Sequence, residues 1–229
     1  MEFSAEQLSL DDIQKGCLIA IDKPLNWTSF QVVNKVRWML RKSFGLKKIK
    51  VGHCGTLDPL ATGLLLLCVG PYTKKIEEFQ GLEKTYTGEF LLGATTPSYD
   101  LETEIDQHFP TEHIHPEMIQ KCAVSFQGNI QQKPPIFSAL KKDGKRLYEM
   151  ARAGKEVAIE ARTVQISKFE VIPNLPKVSF EVVCSKGTYI RSLAQDFGLA
   201  LQSGAHLTAL RREKIGAFDV KHAFQLPTE

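Results

Sequence analysis

Several features that would assign a class at once are missing from this 229-residue sequence. No apolar run is long enough to span a bilayer. The first residues, Met1-Glu2-Phe3-Ser4-Ala5-Glu6, lack a basic segment followed by an apolar one, so no secretory signal is read there. The five cysteines (Cys17, Cys54, Cys68, Cys122 and Cys184) are odd in number, far apart and form no Cys-x-x-Cys pair. That pattern indicates neither a zinc site nor a disulfide framework, and a reduced, cytoplasmic setting follows as the expectation. His113 and His115 beside Glu112 are two histidines in an acidic loop, read as solvated rather than as metal ligands. There is no internal repeat and no low-complexity segment.

What is present is an ordinary globular composition, 43% hydrophobic and 24% charged, enough for one large domain or two small ones. The net charge of +3 becomes informative once mapped along the chain. Between Phe30 and Leu57 there are seven Lys or Arg (Lys35, Arg37, Arg41, Lys42, Lys47, Lys48, Lys50) and no acid. Between Gln131 and Arg162 eight bases face four acids, so the rest of the chain is net acidic. Two basic windows on an acidic background point to a polyanion such as RNA or DNA rather than to a membrane.

The organising stretch runs from Lys50 to Gly63 and enters Leu64-Leu65-Leu66-Leu67-Cys68-Val69, a short apolar run bounded by glycine that predicts a buried strand. The polar residues before it then form a loop on a core wall. In that loop Asp58 precedes Pro59, which pushes it away from helix and toward extended backbone. By itself an Asp-Pro is commonly a turn former; a carboxylate held on a rigid loop is also well placed for chemistry. Upstream, Cys17 to Ile21 is β-type. Thr28 or Ser29 can cap a helix with Phe30, Val33, Val36 and Leu40 on its apolar face, ending near Gly45. Downstream, Lys74 to Leu82 predicts a short helix and Lys84 to Leu92 a strand. Pro97 to Pro110 is acidic and irregular, a solvated excursion. Pro116 begins a helix stopped by Gly128, and Thr163 to Ile172 and Val178 to Cys184 alternate as strands. Thr188 can cap a helix with Ile190, Leu193, Ala194, Phe197 and Leu201 on one face, and a last strand runs near His206 to Arg212. The absence of a βαβ rhythm favours an α+β fold with a central mixed, largely antiparallel sheet.

Three elements can converge on Asp58. Tyr86 sits on a strand that can lie beside the loop, and Tyr189 and Arg191 open a helix. Arg191 can hold the Asp58 carboxylate ionised and aimed, and the two tyrosines can sandwich a flat ring. Taken singly, Tyr86 suits a half-buried sheet position, Tyr189 a helix start packed on the core, and Arg191 the surface. The residues alone leave both sets of roles open.

The stretch Gly52-His53-Cys54-Gly55-Thr56-Leu57-Asp58-Pro59-Leu60-Ala61-Thr62-Gly63, with Thr73-Lys74 after it, resembles the signature loop of the TruB-type tRNA pseudouridine synthases. The resemblance continues in order along the chain through Asp22-Lys23-Pro24, Lys84-Thr85-Tyr86, Gln132 to Lys141 with Gly144 to Glu149, Cys184 to Arg191, and Leu210-Arg211-Arg212. It covers roughly Gly16 to Phe218, which makes it far more specific than a lone motif. It implies a pseudouridine synthase fold and isomerisation of uridine-55 in the T-arm of tRNA, with Asp58 as the catalytic carboxylate. It further implies that Tyr86 stacks on the target base, that Arg191 pairs with Asp58, and that Tyr189 and Leu210 wall the pocket. His53 would fill the space left by the flipped base, and Lys23 with Pro24 would buttress the loop. No metal or organic cofactor is implied, since substrate and product differ only in connectivity. The partner implied is the T-arm stem-loop, with no membrane, no obligatory protein partner and a monomeric enzyme.

On this reading residues 1–16 form a loose N-terminal arm and 17–218 the catalytic domain, with an RNA-gripping thumb inserted at about 131–162. Residues 219–229 are then a short tail in place of the C-terminal RNA-binding (PUA) domain of many relatives. Tyr72 and Cys54 depart from the family's usual residues, and neither is expected to abolish activity. Two alternatives remain: a guide-RNA-dependent pseudouridine synthase, and a non-catalytic tRNA-folding factor. The second has no physical need for a carboxylate near phosphates.

Overall fold

The computed structural model describes residues 3–138, 140–142, 145–147, 150 and 158–227. In chain order it contains a 3₁₀ turn (Ala5–Gln7), α1 (Leu10–Lys15), β1 (Cys17–Lys23), α2 (Ser29–Phe44), β2 (Val51–His53), β3 (Ala61–Val69) and a 3₁₀ turn (Gly70–Lys75). Next come α3 (Ile76–Gly81), β4 (Lys84–Leu92), β5 (Ala94–Thr95), β6 (Gln107–His108), α4 (Pro116–Ser125), β7 (Gly128–Gln132), β8 (Lys141–Lys142) and β9 (Lys145–Arg146). The remainder is β10 (Arg162–Asn174), β11 (Lys177–Cys184), α5 (Ile190–Ala200), β12 (Ala205–Ile215), β13 (Phe218–Asp219), a 3₁₀ turn (Val220–His222) and β14 (Phe224–Gln225). The chain divides into two compact units, Met1–Tyr86 with Leu210–Glu229, and Thr87–Ala209. The α+β class and the mixed, largely antiparallel pairing agree with the sequence reading.

The first unit is a half-sheet in the order β14, β1, β3, β12, with β2 added on β3 and β13 on β12. β1 runs antiparallel to β3 from Cys17↔Val69 to Lys23↔Gly63, and β3 runs parallel to β12 from Leu210↔Ala61 to Arg212↔Gly63. Both faces of β3 are covered. Leu65, Leu67 and Val69 pack with Ile19 and Ile21 of β1 against Val32, Val33, Val36 and Leu40 of α2. Leu64, Leu66 and Cys68 face Cys54, Ile215, Val220 and partly buried Ile76 and Phe79 of the α3 side. A strand buried on both faces has no reason to alternate, hence the unbroken apolar run. α2 is defined at both ends: Thr28 and Gln31 form a reciprocal capping box, and Gly45 takes the left-handed C-cap at φ 63°.

In the second unit the strand order is β4, β11, β10, β7. β10 and β11 form an antiparallel hairpin from Ile166↔Cys184 to Asn174↔Lys177, and β7 pairs with β10 from Arg162↔Gln132 to Ile166↔Gly128. An aromatic cluster fills its core: Phe90 stacks on Phe180 at 4.3 Å between centroids, and Phe169 meets Phe197 of α5 edge-on at 5.7 Å. The five residues expected on the inner face of α5 (Ile190, Leu193, Ala194, Phe197, Leu201) are all buried. Among the described residues, no helix is long and apolar enough to cross a membrane.

Several local expectations need correction. The N-terminal residues are not a loose arm: Ser4 and Ser9 each cap a helical turn, and Phe3, Ala5 and Ile13 enter the core. Phe30 is 63% exposed, and the buried face of α2 carries Ser29, Val32, Val33, Val36 and Leu40 instead. Pro97 to Pro110 is only partly a solvated excursion, because Ser98 and Asp100 are buried within it. The Thr188 hydroxyl donates to the Ser185 carbonyl, and the N-cap position of α5 belongs to Tyr189, without a side-chain bond. Residues 139, 143–144, 148–149 and 151–157 of the expected thumb lie outside the described residues.

Leu65→Ala is expected to lower the unfolding free energy by about 2–5 kcal/mol, whereas Phe30→Ala should stay within about 0.5 kcal/mol. Urea denaturation of the two variants measures both.

Candidate active site

Asp58 opens a turn in which its carbonyl accepts from Ala61 N at 3.1 Å, with Pro59 inside the turn. The fixed φ of proline suits that place. The turn is stitched to the first residue of α2 and to the segment before it at three points. The Ser29 hydroxyl, first residue of α2 and buried, donates to Leu57 O at 3.0 Å and accepts from Leu57 N at 2.8 Å. Asn26 N donates to Pro59 O at 2.9 Å. The fully buried Lys23 ammonium donates to the carbonyls of Trp27 (2.6 Å), Pro24 (3.0 Å) and Pro59 (3.3 Å). The half-buried Asp58 therefore sits on a turn bonded to Ser29, Asn26 and Lys23.

Two buried cations flank this turn because of strand register. Lys23 and Arg212 both pair with Gly63, one from each side, and residues in register project to the same face. Gly63 has φ 101°, and a Cβ there would overlap the Arg212 backbone; only glycine serves. Arg212 donates from Nε to Leu64 O (2.7 Å) and from Nη2 to Gly55 O (3.1 Å), and its guanidinium carbon lies 6.0 Å from the Tyr86 ring centroid. Arg211, next along β12, turns to the other face and grips Asp22 of β1 with two bonds of 3.0 and 2.8 Å.

These contacts set the protonation of the site. Burial drives the Lys23 ammonium down to about 8; the Asp58 carboxylate pulls it back up, and Arg212 pushes it further down. His53 at the end of β2 is held below the ordinary histidine value, first by burial and then by Arg212, against a smaller opposing pull from the Gly55 backbone. His53 is thus neutral at pH 7 and can stack or share hydrogen bonds without adding charge. Cys54 and Cys68 are buried with their sulfurs 3.3 Å apart, and burial pushes both thiols up, which makes them unreactive packing groups.

The first unit therefore brings together Lys23, His53, Asp58, Tyr86 and Arg212, with Leu210 half-buried on β12 opposite Ala61. Tyr189 and Arg191 belong to the second unit. Tyr189 is pinned through its backbone by buried Gln132, whose side chain accepts from Tyr189 N (2.8 Å) and donates to Tyr189 O (3.1 Å). The Arg162 guanidinium lies 5.0 Å from its ring centroid. Buried Arg191 donates to Ser98 O (3.1 Å) and Phe137 O (2.9 Å) and has Asp100 as an ion-pair partner at 3.6 Å. Asp100 was not singled out from the sequence, Ser29 was read only as a possible helix cap, and Arg212 was visible only as part of a motif. A buried acid in an acidic stretch looks like its solvated neighbours. Adjacent arginines on a strand give no sign of which one is inside.

Comparison with solved structures gives the class first. The chain resembles a protein in the crystal structure of a Cbf5-Nop10-Gar1 complex, with TM-score 0.70 and 29% identity, over 97% of this chain and 56% of that one. A structure of an H/ACA RNP bound to a substrate RNA containing 2'-deoxyuridine gives TM-score 0.67 and 26% identity, over 98% of this chain and 55% of that one. By fold and by family match, this is a pseudouridine synthase. The family model for TruB family pseudouridylate synthases (N terminal domain) matches residues 41–190. The tRNA pseudouridine synthase B of Flavobacterium johnsoniae is 61% identical over 94% of this chain and 95% of that protein, and that of Phocaeicola vulgatus 54% over 90% and 88%. The chain belongs to the TruB family of pseudouridylate synthases.

An NMR pH titration should place His53 below the ordinary value of 6.5, and Arg212→Met should move it upward by removing a neighbouring cation. The same variant removes the guanidinium donors to the Leu64 and Gly55 carbonyls. Its denaturation midpoint should fall, at about 1–3 kcal/mol for each carbonyl left unpaired.

Proposed function

We propose that this protein isomerises uridine-55 in the T-arm of tRNA to pseudouridine, with Asp58 as the catalytic carboxylate. The observation that carries the reading is the placement of Asp58: a half-buried carboxylate on a turn secured by Ser29, Lys23 and Asn26. Near-full-length relatives named tRNA pseudouridine synthase B support tRNA as the substrate. Chemically, the N-glycosidic bond to the ribose breaks, the uracil turns, and a C-glycosidic bond forms, with a proton leaving carbon and one arriving at nitrogen. Atoms and electrons balance without an added reactant. An ionised carboxylate serves either as nucleophile or as counter-charge to a developing cation.

The other roles expected from the resemblance belong to the same proposal. Tyr86 stacks on the base, neutral His53 occupies the space the flipped base leaves, and Leu210 walls the pocket. The resemblance also gives Tyr189 a pocket-wall role and Arg191 a carboxylate-pairing role; within the second unit the carboxylate beside Arg191 is Asp100. The basic thumb residues Lys141, Lys142, Lys145 and Arg146 hold phosphates, which gives affinity with little sequence choice. The enzyme acts in the cytoplasm as a monomer, without a guide RNA or obligatory protein partner. Likeness to a chain in the Cbf5-Nop10-Gar1 complex is what favours the guided alternative, and one assay separates the two.

With an unmodified tRNA transcript and no other macromolecule, wild-type protein is expected to form pseudouridine at the T-loop uridine alone. Asp58→Asn should lose at least about 10³-fold in rate while binding tRNA as well as wild type. No product from wild type would favour the guided enzyme; product from both would assign the chemistry to another residue. The log of the tRNA affinity should fall linearly with log salt, by about 0.7 for each phosphate contact in single-stranded regions. A salt-independent affinity would refute phosphate gripping.

A further inference from the structure

The outward face of α2 carries a row that the fold does not use. Phe30, Asn34, Trp38 and Lys42 stand four residues apart and form one ridge along the helix. Phe30 is 63% exposed and Trp38 55%, and neither packs on the core that Val32, Val33, Val36 and Leu40 form on the other side. One exposed aromatic is ordinary; two on the same ridge, with lysines beside them, make a patterned surface. The Lys35 and Lys42 ammonium groups lie 5.9 and 5.0 Å from the Trp38 ring centroid, one from the preceding turn and one from the following turn. The window from Phe30 to Leu57 holds seven bases and no acid. Two of those bases are committed to the fold, since Arg37 donates to Val51 O and Arg41 to Leu46 O. The other five bases of the window are lysines.

We propose that this ridge is an RNA-holding surface, with Trp38 as a stacking platform between Lys35 and Lys42. It rests on the reading above that tRNA is the substrate. Aromatic rings interleaved with cations are how proteins hold nucleic acid without reading sequence, whereas an acidic protein partner would be met by charge alone. The position also fits. α2 begins at Ser29, which is bonded to Leu57 beside Asp58. Trp38 lies nine residues further on, about 14 Å along the helix at 1.5 Å per residue. On this proposal, RNA whose target nucleotide sits at Asp58 meets Trp38 within a few nucleotides of that target. The occupant is the part of the T-arm that flanks the flipped uridine.

The test compares wild type, Trp38→Ala, Trp38→Phe and the double variant Lys35→Gln/Lys42→Gln. It measures affinity for a T-arm stem-loop, the salt slope of that affinity, and the single-turnover rate at saturating RNA. Trp38→Ala is expected to weaken binding about 5- to 150-fold, the range that 1–3 kcal/mol per stacked base implies. Its saturated rate and melting temperature should match wild type, and Trp38→Phe should keep most of the affinity. The double lysine variant should flatten the salt slope by about 0.7 for each lost contact. Unchanged affinity in Trp38→Ala overturns the proposal, as does an unchanged salt slope in the lysine variant. If wild type binds RNA in this way but makes no pseudouridine, the catalytic reading fails and the surface stands.

Independently, we infer that Ser29 is a positioning residue for Asp58. Its buried hydroxyl engages both backbone groups of Leu57, and the side chain reaches no reacting atom itself. Ser29→Ala is expected to lower kcat by about tenfold to a hundredfold, the cost of a misplaced reacting group. KM and tRNA affinity should stay within about twofold of wild type on the same ground. An unchanged kcat overturns the inference, and so does a parallel loss of kcat, tRNA affinity and melting temperature, which would make the bond generally structural.

Discussion

Gly63 has no side chain, and the frame around Asp58 in the first unit depends on that absence. Its positive φ and the close passage of the Arg212 backbone admit only glycine. The register through it sets Lys23 and Arg212 on either side of one bare position. A side chain there would push β12 off β3. The Gly55 and Leu64 carbonyls would then lose Arg212, and the turn that carries Asp58 would lose its frame. Two buried cations so close are costly unless their donors are met. Here backbone carbonyls meet them, and the Asp58 carboxylate supplies opposite charge.

That arrangement couples fold to chemistry. Carbonyl oxygens already bonded to Lys23 cannot move without stranding a buried ammonium, so the backbone around Pro59 is stiff for an electrostatic reason. Neutral His53 beside Arg212 follows from the same crowding of positive charge, since a further proton in that space is disfavoured. α2 extends the logic outward: one face closes the core, its first residue latches the loop that carries Asp58, and its outer ridge carries aromatics and lysines.

Element type was largely legible from periodicity. The strand at Lys84 to Leu92, the β10–β11 hairpin and the buried face of α5 all carry patterns of period 2 or 3.6. Phe30 misled because Phe30, Val33, Val36 and Leu40 fit helical spacing nearly as well as the true face, which differs by a small rotation. The stretch around Asp100 misled because solvated and buried acids look alike until a buried arginine is placed beside one of them, as Arg191 is.

The amino-acid sequence by itself determined the α+β class, the loop that presents Asp58, the basic windows and the family, because each is a local pattern or an ordered set of motifs. Tertiary structure alone decided which charges are inside. Lys23 and Arg212 are buried because two strands far apart in the chain both pair with Gly63. Ser29 reaches Leu57 across 28 positions of sequence, and Arg191 reaches Ser98 across 93. Burial, and with it protonation and positioning, is a property of what packs against a residue, and no local spacing encodes that.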